Sequence, residues 1–528
     1  MIIPFVEEAI RPLEESPGLQ AALRALEQRT RQRGAAATSE LTLAGLTDTA
    51  KALVTALVAR ALGRPVLLVT ATNRRAEALL EPLRFFFTVL TGRSESSVAL
   101  LPAHEVAPYR GLSPHPNIAA ARAAALWKLA ADAAEVAVVP VGAALGRLAS
   151  REVYAGLGRT VRPEEELERE EFLAYLGSVG YERQEPVEMA GEYSVRGGIV
   201  DVFSPEGRPV RLEFFGDRVE ELREFDPATQ RSVAPLSAAT LLPLVEVPRT
   251  PELLRRLWEL VEGREPAGEV SPFPGWEFLL PLAESFGGTL LDLASRAVVL
   301  LDEPQSLREE AARLWERLEQ DYAHHQKERR VAPAPGELFL RWTAFEARTA
   351  AAPRLRLEQL ALEIAGAEHY ALPAQPTPRF RGAIRPFVEE IHRRLRGGEA
   401  VMATNATLGE MERMAELLGE YDVPYRFGTP GGRRPGLVEQ KSVLATEAEA
   451  VVLLCGPVAE GVSFPEARLA VFGNFDLFEG AGAAPSPAPA RAKSKAAAFA
   501  ADISELKEGD FVVHVDHGIG QFGGLKTI

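Results

Sequence analysis

Short apolar runs alternate with amphipathic segments of helical length along the first part of the chain. Ala- and Leu-rich stretches such as 50–62 and 118–130 predict helices between the apolar runs. The predicted strands are 40–44, 65–70, 98–101 and 136–141. Strands that alternate with helices are typical of a parallel α/β sheet, so we predict an α/β domain over residues 1–158.

The pattern changes after Pro163. A predicted helix at 164–176 leads into short strands with two-residue alternation, separated by glycine turns at Gly197-Gly198 and Gly216-Asp217. The predicted strands are a run near Ser194, 199–203, 210–215 and 219–225. This predicts a small α+β insert over residues 159–243.

Helix and strand alternation then returns, with an apolar strand at 297–301 and a long polar helix at 306–330. We expect residues 244–372 to complete the sheet that the insert interrupts. After a Pro-rich break, residues 373–479 predict a third, compact α/β domain in which we identify no site chemistry.

The last part of the chain has two different compositions. Residues 480–501 begin with GAGAAPSPAPARAKSK, which predicts a flexible linker. Residues 502–528 contain an alternating strand, a glycine turn and a second strand, as expected for the first strands of a small β-barrel. Because so few strands do not form a stable barrel, we expect the module to be truncated here and the natural protein to continue past Ile528.

Composition narrows the possible functions. The chain has 528 residues and a net charge of −15, which does not favour non-specific DNA binding through overall charge. Its single cysteine, Cys455, excludes an intramolecular disulfide and Cys-rich zinc sites. We find no signal peptide and no apolar run of membrane length, so we expect a cytoplasmic protein without membrane contact.

One segment resembles a nucleotide-binding loop. Residues 45–52, GLTDTAKA, align with the P-loop pattern G-x-x-x-x-G-K-[ST] at Gly45 and Lys51. Ala50 replaces the second glycine, Asp48 puts a carboxylate where phosphate would lie, and Ala52 lacks the hydroxyl that binds Mg²⁺. We favour a site that has lost nucleotide binding.

The apolar strand that ends in Asp302-Glu303 resembles the acidic pair that holds Mg²⁺ in P-loop enzymes. The alternative that stays open is therefore an active ATPase that uses Lys51 together with Asp302 and Glu303. His514, Asp516 and His517 could suggest a metal site, but they have no Cys partner, and we predict no metal.

The segment PVRLEFFGD, residues 209–217, carries the most information. Strand alternation places Val210, Leu212 and Phe214 on one face and Arg211, Glu213 and Phe215 on the other. Arg196 lies nearby, beside its Gly-Gly turn. Exposed aromatic and arginine side chains are typical of protein interfaces. The alternative is that Phe215 packs under a helix while the arginines form surface ion pairs, and the pattern alone does not decide between them.

Four segments together resemble the bacterial transcription-repair coupling factors. They are GEYSVRGGIVDVFSP, RLEFFGDRVEELREFDPATQRS, LPAHEVAPYRGLSPH and LKEGDFVVHVDHGIGQF. The resemblance implies a multidomain α/β protein: a degenerate helicase-type domain like that of UvrB, split by an insert like the UvrA-binding domain of UvrB. It implies that this region recruits UvrA to RNA polymerase stalled at DNA damage.

The resemblance also carries residue roles. By motif it places the UvrA-binding surface on Arg196, Arg211 and Phe215, and it makes residues 502–528 the start of an RNA-polymerase-binding module with Ile528 as a contact. ATP, Mg²⁺ and most DNA contacts belong to a motor that we expect outside this chain, so we predict no cofactor here. The alternative, UvrB itself, has an intact P-loop and a DNA-probing hairpin, for which residues 109–117 are too short.

Overall fold

The computed structural model describes residues 4–31, 40–284, 286–328, 330–360, 367–428, 450–477, 511–514 and 518–521. Residues 1–480 form one compact unit and residues 481–528 a second. Within the described residues, no helix is both long enough and apolar enough to cross a membrane.

Helices and strands alternate along most of the chain. The helices are α1 (Pro4–Glu14), α2 (Pro17–Arg31), α3 (Asp48–Leu62), α4 (Asn73–Thr91), α5 (Pro116–Ala130), α6 (Val141–Ala144), α7 (Arg151–Ala155), α8 (Arg169–Ser178), α9 (Pro251–Glu262), α10 (Leu280–Ala283), α11 (Leu290–Leu293), α12 (Pro304–Lys327), α13 (Pro335–Leu338), α14 (Trp342–Thr349), α15 (Ile384–Arg396), α16 (Leu408–Glu420) and α17 (Asn474–Leu477). The strands are β1 (Glu40–Ala44), β2 (Val66–Thr70), β3 (Val98–Leu100), β4 (Val136–Pro140), β5 (Arg159–Val161), β6 (Glu182–Arg183), β7 (Glu192–Arg196), β8 (Ile199–Phe203), β9 (Pro209–Phe215), β10 (Arg218–Asp226), β11 (Arg231–Pro235), β12 (Ala239–Leu241), β13 (Val298–Asp302), β14 (Arg354–Glu358), β15 (Ala367–Ala371), β16 (Gln375–Pro376), β17 (Ala400–Asn405), β18 (Tyr425–Phe427), β19 (Val451–Cys455), β20 (Val462–Phe464), β21 (Leu469–Phe472), β22 (Phe511–His514) and β23 (Gly518–Gln521).

The first sheet has seven parallel strands in the order β15-β1-β14-β13-β2-β4-β3. Strands from before and after the insert therefore interleave in one sheet. Strands β2, β4 and β13 are buried along their whole length, which is typical of parallel strands covered on both faces. The prediction of a mixed α/β protein with a parallel sheet is confirmed.

The second sheet has the order β11-β10-β9-β8-β7-β6 and is antiparallel except between β6 and β7. The chain reaches it through β5 and leaves it through β12, and these two strands pair with each other. Helix α8 begins at Arg169 rather than at the predicted 164, because residues 164–167 form backbone hydrogen bonds with the β9–β10 turn region instead.

The third sheet has the order β16-β20-β21-β17-β19-β18, with β17, β18, β19 and β21 parallel. Helices α15 and α16 cover one face of it, and helices of the first sheet contribute to a continuous apolar core on the other. In the second unit, β22 and β23 form an antiparallel pair.

Candidate functional sites

The P-loop-like site, defined as Gly45, Asp48, Ala50, Lys51, Ala52, Asp302 and Glu303, lies where β1 leads into α3. Gly45 turns the chain with a φ of 91°, and the Thr47 hydroxyl caps the helix by accepting a hydrogen bond from the amide of Ala50. Ala50 and Ala52 are fully buried in the apolar core. The helix start is therefore packed by protein atoms.

Lys51 is neutralised inside the protein. Its side chain is 1% exposed, and its Nζ lies 2.7 Å from Asp302 Oδ1 and 2.5 Å from Glu303 Oε1. In an active P-loop the lysine contacts phosphate and the strand-end Asp holds Mg²⁺. Here the structure brings the three residues that the motifs single out into contact, and they satisfy one another.

Arg75, on α4, is a member of this cluster that the sequence motifs do not reveal. Its Nε lies 2.7 Å from Asp302 Oδ2, and a second nitrogen of the guanidinium pairs with Asp48. Burial would raise the pKa of Asp302, but the Arg75 hydrogen bond and the Lys51 charge outweigh burial and lower it. Asp302 is therefore a buried carboxylate held ionised by two cations.

The second candidate site is on the six-stranded sheet and is organised by Asp201. This carboxylate is fully buried and lies 2.7 Å from Arg211 Nε and 2.5 Å from Arg196 Nη2. Arg211 also lies over the Phe225 ring, with 5.3 Å between its Cζ and the ring centroid. The hydrogen bond to Asp201 raises the pKa of Arg211.

The three predicted interface residues differ in exposure. The Phe215 residue is 78% exposed, the Arg196 side chain 38% and the Arg211 side chain 12%. Arg211 lies on the face opposite Val210 and Leu212, as alternation predicts, but Asp201 and the neighbouring strands enclose its side chain. On the opposite face of the strand, Val210 and Leu212 are buried as predicted, and Phe214 is partly buried against the same core.

Glycines bring Arg196 close to the end of β9. Gly197 has a φ of 61° in the two-residue turn between β7 and β8. A Cβ on Gly198 would lie 2.8 Å from the Phe214 carbonyl oxygen, and the Phe214 amide donates to the Gly198 carbonyl over 2.7 Å. This turn therefore lies against the backbone of β9, one residue before Phe215.

Strand register adds residues to this surface that the sequence patterns do not single out as contacts. Ile199 pairs with Arg196 on one side and with Glu213 on the other, and Glu213 pairs with Glu221. Residues opposite each other in adjacent strands share a face. We name the hairpin-tip surface as Arg196, Ile199, Glu213 and Phe215. Cross-strand register, which requires knowing which strands are neighbours, is the signal that identifies it.

The remaining site predictions fall in the second unit. Ile528, Asp516 and His517 lie outside the described residues, as does the predicted linker. His514 ends strand β22. In the first unit, the segment predicted to be too short for a DNA-probing hairpin (109–117) follows residues without helix or strand and runs into helix α5 at Pro116.

Fold and sites together define a class: a parallel α/β protein whose P-loop-like segment is occupied by its own ion pairs and whose sheet is split by an antiparallel insert. Residues 160–246 match the UvrB interaction domain family, and residues 506–528 match the CarD-like/TRCF RID domain family.

Relatives match along nearly the whole chain. The chain is 30% identical to a transcription-repair-coupling factor of Myxococcus xanthus, over 92% of this chain and 42% of the relative. It is 31% identical to that of Mycobacterium bovis, over 94% and 41%, and 27% identical to that of Escherichia coli, over 92% and 42%. The resemblance to the transcription-repair coupling factor family is therefore confirmed, and the chain corresponds to the N-terminal part of these relatives. It spans about two fifths of their length.

Proposed function

We propose that this chain is the adaptor region of a bacterial transcription-repair coupling factor, which recruits UvrA to RNA polymerase stalled at DNA damage. The observation that carries the proposal is the match of residues 160–246 to the UvrB interaction domain, because that segment forms the sheet with the exposed Phe215. The match of residues 506–528 to the RID family supports the second partner, RNA polymerase. We place the protein in the bacterial cytoplasm, where these partners act.

The geometry of the hairpin-tip surface supports UvrA docking. Phe215 offers an exposed aromatic ring at a turn, the kind of side chain that anchors protein interfaces. Arg196 remains partly exposed while Asp201 fixes it from below, so it loses little conformational freedom on binding. The Glu213 side chain lies on the same face and carries a charge that interacts with Arg211, so it adds an acidic group beside the arginines. In this arrangement Arg211 is a positioning residue that holds Asp201.

We also propose that this region binds no ATP and is not an enzyme. In a P-loop protein, the lysine holds phosphate and the strand-end aspartate holds Mg²⁺. Here Asp302 forms ion pairs with both Lys51 and Arg75. No cofactor is then needed here, and ATP-driven translocation and most DNA contacts belong to regions of the relatives that the match does not cover. Calorimetry with Mg-ATP tests this: micromolar affinity that Lys51→Ala abolishes would favour an active ATPase.

Competition for UvrA tests the adaptor proposal. If the insert uses the same mode of docking as UvrB, purified UvrB should displace this chain from UvrA in a concentration-dependent manner. A matched chain with Phe215→Ala and Arg196→Ala should fail to bind UvrA while keeping its melting temperature. Simultaneous binding of UvrB and this chain to one UvrA site, or wild-type affinity of the double variant, would refute the proposal.

A further inference from the structure

The third sheet reaches over the P-loop-like site at its connection to the first sheet. The Leu372 amide donates to the Ala44 carbonyl over 2.9 Å, and the Ala374 amide donates to the Gly45 carbonyl over 2.8 Å. A Cβ on Gly45 would lie 3.1 Å from the Leu372 carbonyl oxygen. The backbone of residues 372–374 therefore lies directly on the loop that would bind phosphate in a P-loop protein.

A second segment of the third sheet reaches the start of α3. The Thr49 hydroxyl, two residues before Lys51, donates to the Glu460 carbonyl over 2.6 Å. Gly456, at the end of β19, lies so close to α4 that a Cβ there would be 2.0 Å from Cδ2 of Phe85. These contacts put a carbonyl oxygen, which repels phosphate, beside the first turn of the helix.

The apolar core continues from one sheet to the other through these contacts. Buried residues of the third sheet and the adjoining segments belong to the same core cluster as helices α1, α3 and α4. These residues are Met402, Val452, Leu454, Val458, Val462, Phe464, Leu469 and Val471. Separating the two sheets would expose this core to water, which costs free energy in proportion to the apolar area.

We propose that residues 372–374 and 456–461 are a built-in cover that holds the P-loop-like site permanently closed. Here the cover contacts Gly45 and Thr49, on the loop and first helical turn that lead to Lys51, and the apolar core is continuous between the two sheets, so the sheets stay joined without a ligand. The sequence patterns indicate no chemistry in the third sheet. The proposal gives this sheet a role, because its segments cover the P-loop-like site.

Hydrogen exchange tests whether the cover is fixed. Gly456→Ala adds a methyl group against Phe85, whereas Gly409→Ala, in helix α16, adds one where no atom of another segment lies within 4 Å. We expect Gly456→Ala to accelerate amide exchange in peptides that span 44–50 and 372–376 at least tenfold. Gly409→Ala should leave them unchanged, and both variants should leave strand β8 unchanged.

Thr49→Val provides a milder variant in case Gly456→Ala does not fold. It keeps the side-chain volume and removes the hydrogen bond to Glu460, so the same peptides should exchange faster while the melting curve stays cooperative. If Gly456→Ala folds, unchanged exchange in these peptides would overturn the proposal. If it does not, unchanged exchange in Thr49→Val would do so.

Restoring the motif tests the consequence for nucleotide binding. The triple variant Asp48→Ser, Ala50→Gly, Ala52→Ser recovers the P-loop pattern, and we expect it to show no measurable binding of Mg-ATP by calorimetry at millimolar ligand. Adding Arg75→Gln, which removes the guanidinium from Asp302, should not change this result. Micromolar binding by either folded variant would show that the cover is not a barrier.

Discussion

Two buried carboxylates, Asp302 and Asp201, each pair with two basic side chains, and the two clusters differ in how much of them solvent reaches. Asp302 joins Lys51 and Arg75 at the end of the parallel sheet, where Asp302 and Lys51 are almost fully buried and only Arg75 reaches solvent. Asp201 joins Arg196 and Arg211 in the antiparallel sheet, where one side faces solvent. The same arrangement closes one site and supports an exposed surface at the other.

This difference in exposure indicates which buried ion pair can have a function other than stabilising the fold. Removing charges from water is costly, and replacing a buried pair by apolar residues is often neutral or stabilising. In the Asp302 cluster the charged groups only satisfy one another. The Asp201 cluster fixes an arginine that remains partly exposed, which a hydrophobic replacement would not achieve.

The largest expected effect is on the enclosed cluster. Asp302→Asn leaves Lys51 and Arg75 without their shared carboxylate, so we expect the free energy of unfolding to fall by about 3–5 kcal/mol in urea titrations. The matched control is Glu319→Gln, which breaks the exposed Arg341–Glu319 pair and should cost less than about 1 kcal/mol. Equal losses would show that the Asp302 cluster contributes no more than a surface pair.

The second largest expected effect is on UvrA binding at the hairpin-tip surface. Phe215→Ala should weaken UvrA binding by about 2 kcal/mol or more, nearly thirtyfold, because it removes the exposed aromatic anchor. Stability should change by less than about 0.5 kcal/mol, as is usual for exposed positions. Val233→Ala, which truncates another exposed apolar side chain of the same sheet, should leave UvrA affinity unchanged. Equal effects of the two variants would remove Phe215 as the specific anchor.

Substitutions of the two arginines that pair with Asp201 should have different effects, one mainly on stability and the other mainly on UvrA binding. Arg211→Ala removes the enclosed partner of Asp201 and the contact with Phe225, so we expect it to lower the free energy of unfolding by about 1–3 kcal/mol. Arg196→Ala should cost less than about 1 kcal/mol in stability but weaken UvrA binding. Urea titration and UvrA affinity of both variants provide the measurements, and the reverse order of stabilities would contradict the assignment of roles.

Much of the architecture is predictable because it depends on local patterns. Strand β1 has the predicted bounds, and α3 and β13 begin within two residues of prediction, since apolar runs and capping residues act over a few positions. Helix α4 is absent from the predicted elements, and with it Arg75. Its signal is nevertheless present in the sequence: Thr72 caps the helix, and Ala76, Leu79, Leu80 and Leu83 form a buried stripe with helical spacing.

The sites are less predictable because they depend on contacts between distant parts of the chain. Alternation places Arg211 opposite the core face of β9, but only the pairing of β8 with β9 reveals that Asp201 lies beside it. Likewise, the motifs name Lys51 and Asp302, whereas their mutual neutralisation depends on the order of strands in the sheet. Single-strand patterns carry no information about which residue lies on the neighbouring strand.

A third buried carboxylate, Glu246, also contacts two basic side chains, and one of them is a histidine whose charge depends on pH. Glu246 lies 2.6 Å from Arg122 Nε and 3.5 Å from His104 Nε2. Burial and, to a smaller extent, the Arg122 charge lower the pKa of His104 to about 3, against the opposing effect of Glu246. His104 is therefore neutral in the folded protein at pH values where an unfolded histidine is protonated.

This difference makes the free energy of unfolding depend on pH. Between the folded pKa of about 3 and the unfolded value of 6.5, the unfolded chain binds the extra proton, so stability falls as the pH is lowered through this window. From pH 7 to pH 5 the loss from His104 should be about 2 kcal/mol at most. Urea titrations at both pH values should show a smaller loss for His104→Gln than for the wild type, whereas His324→Gln, on the exposed face of α12, should lose as much as the wild type. An unchanged pH dependence in His104→Gln would mean that His104 becomes protonated in the folded protein, and that Glu246, unlike Asp302, lies in a cluster open enough for water to stabilise a second cation.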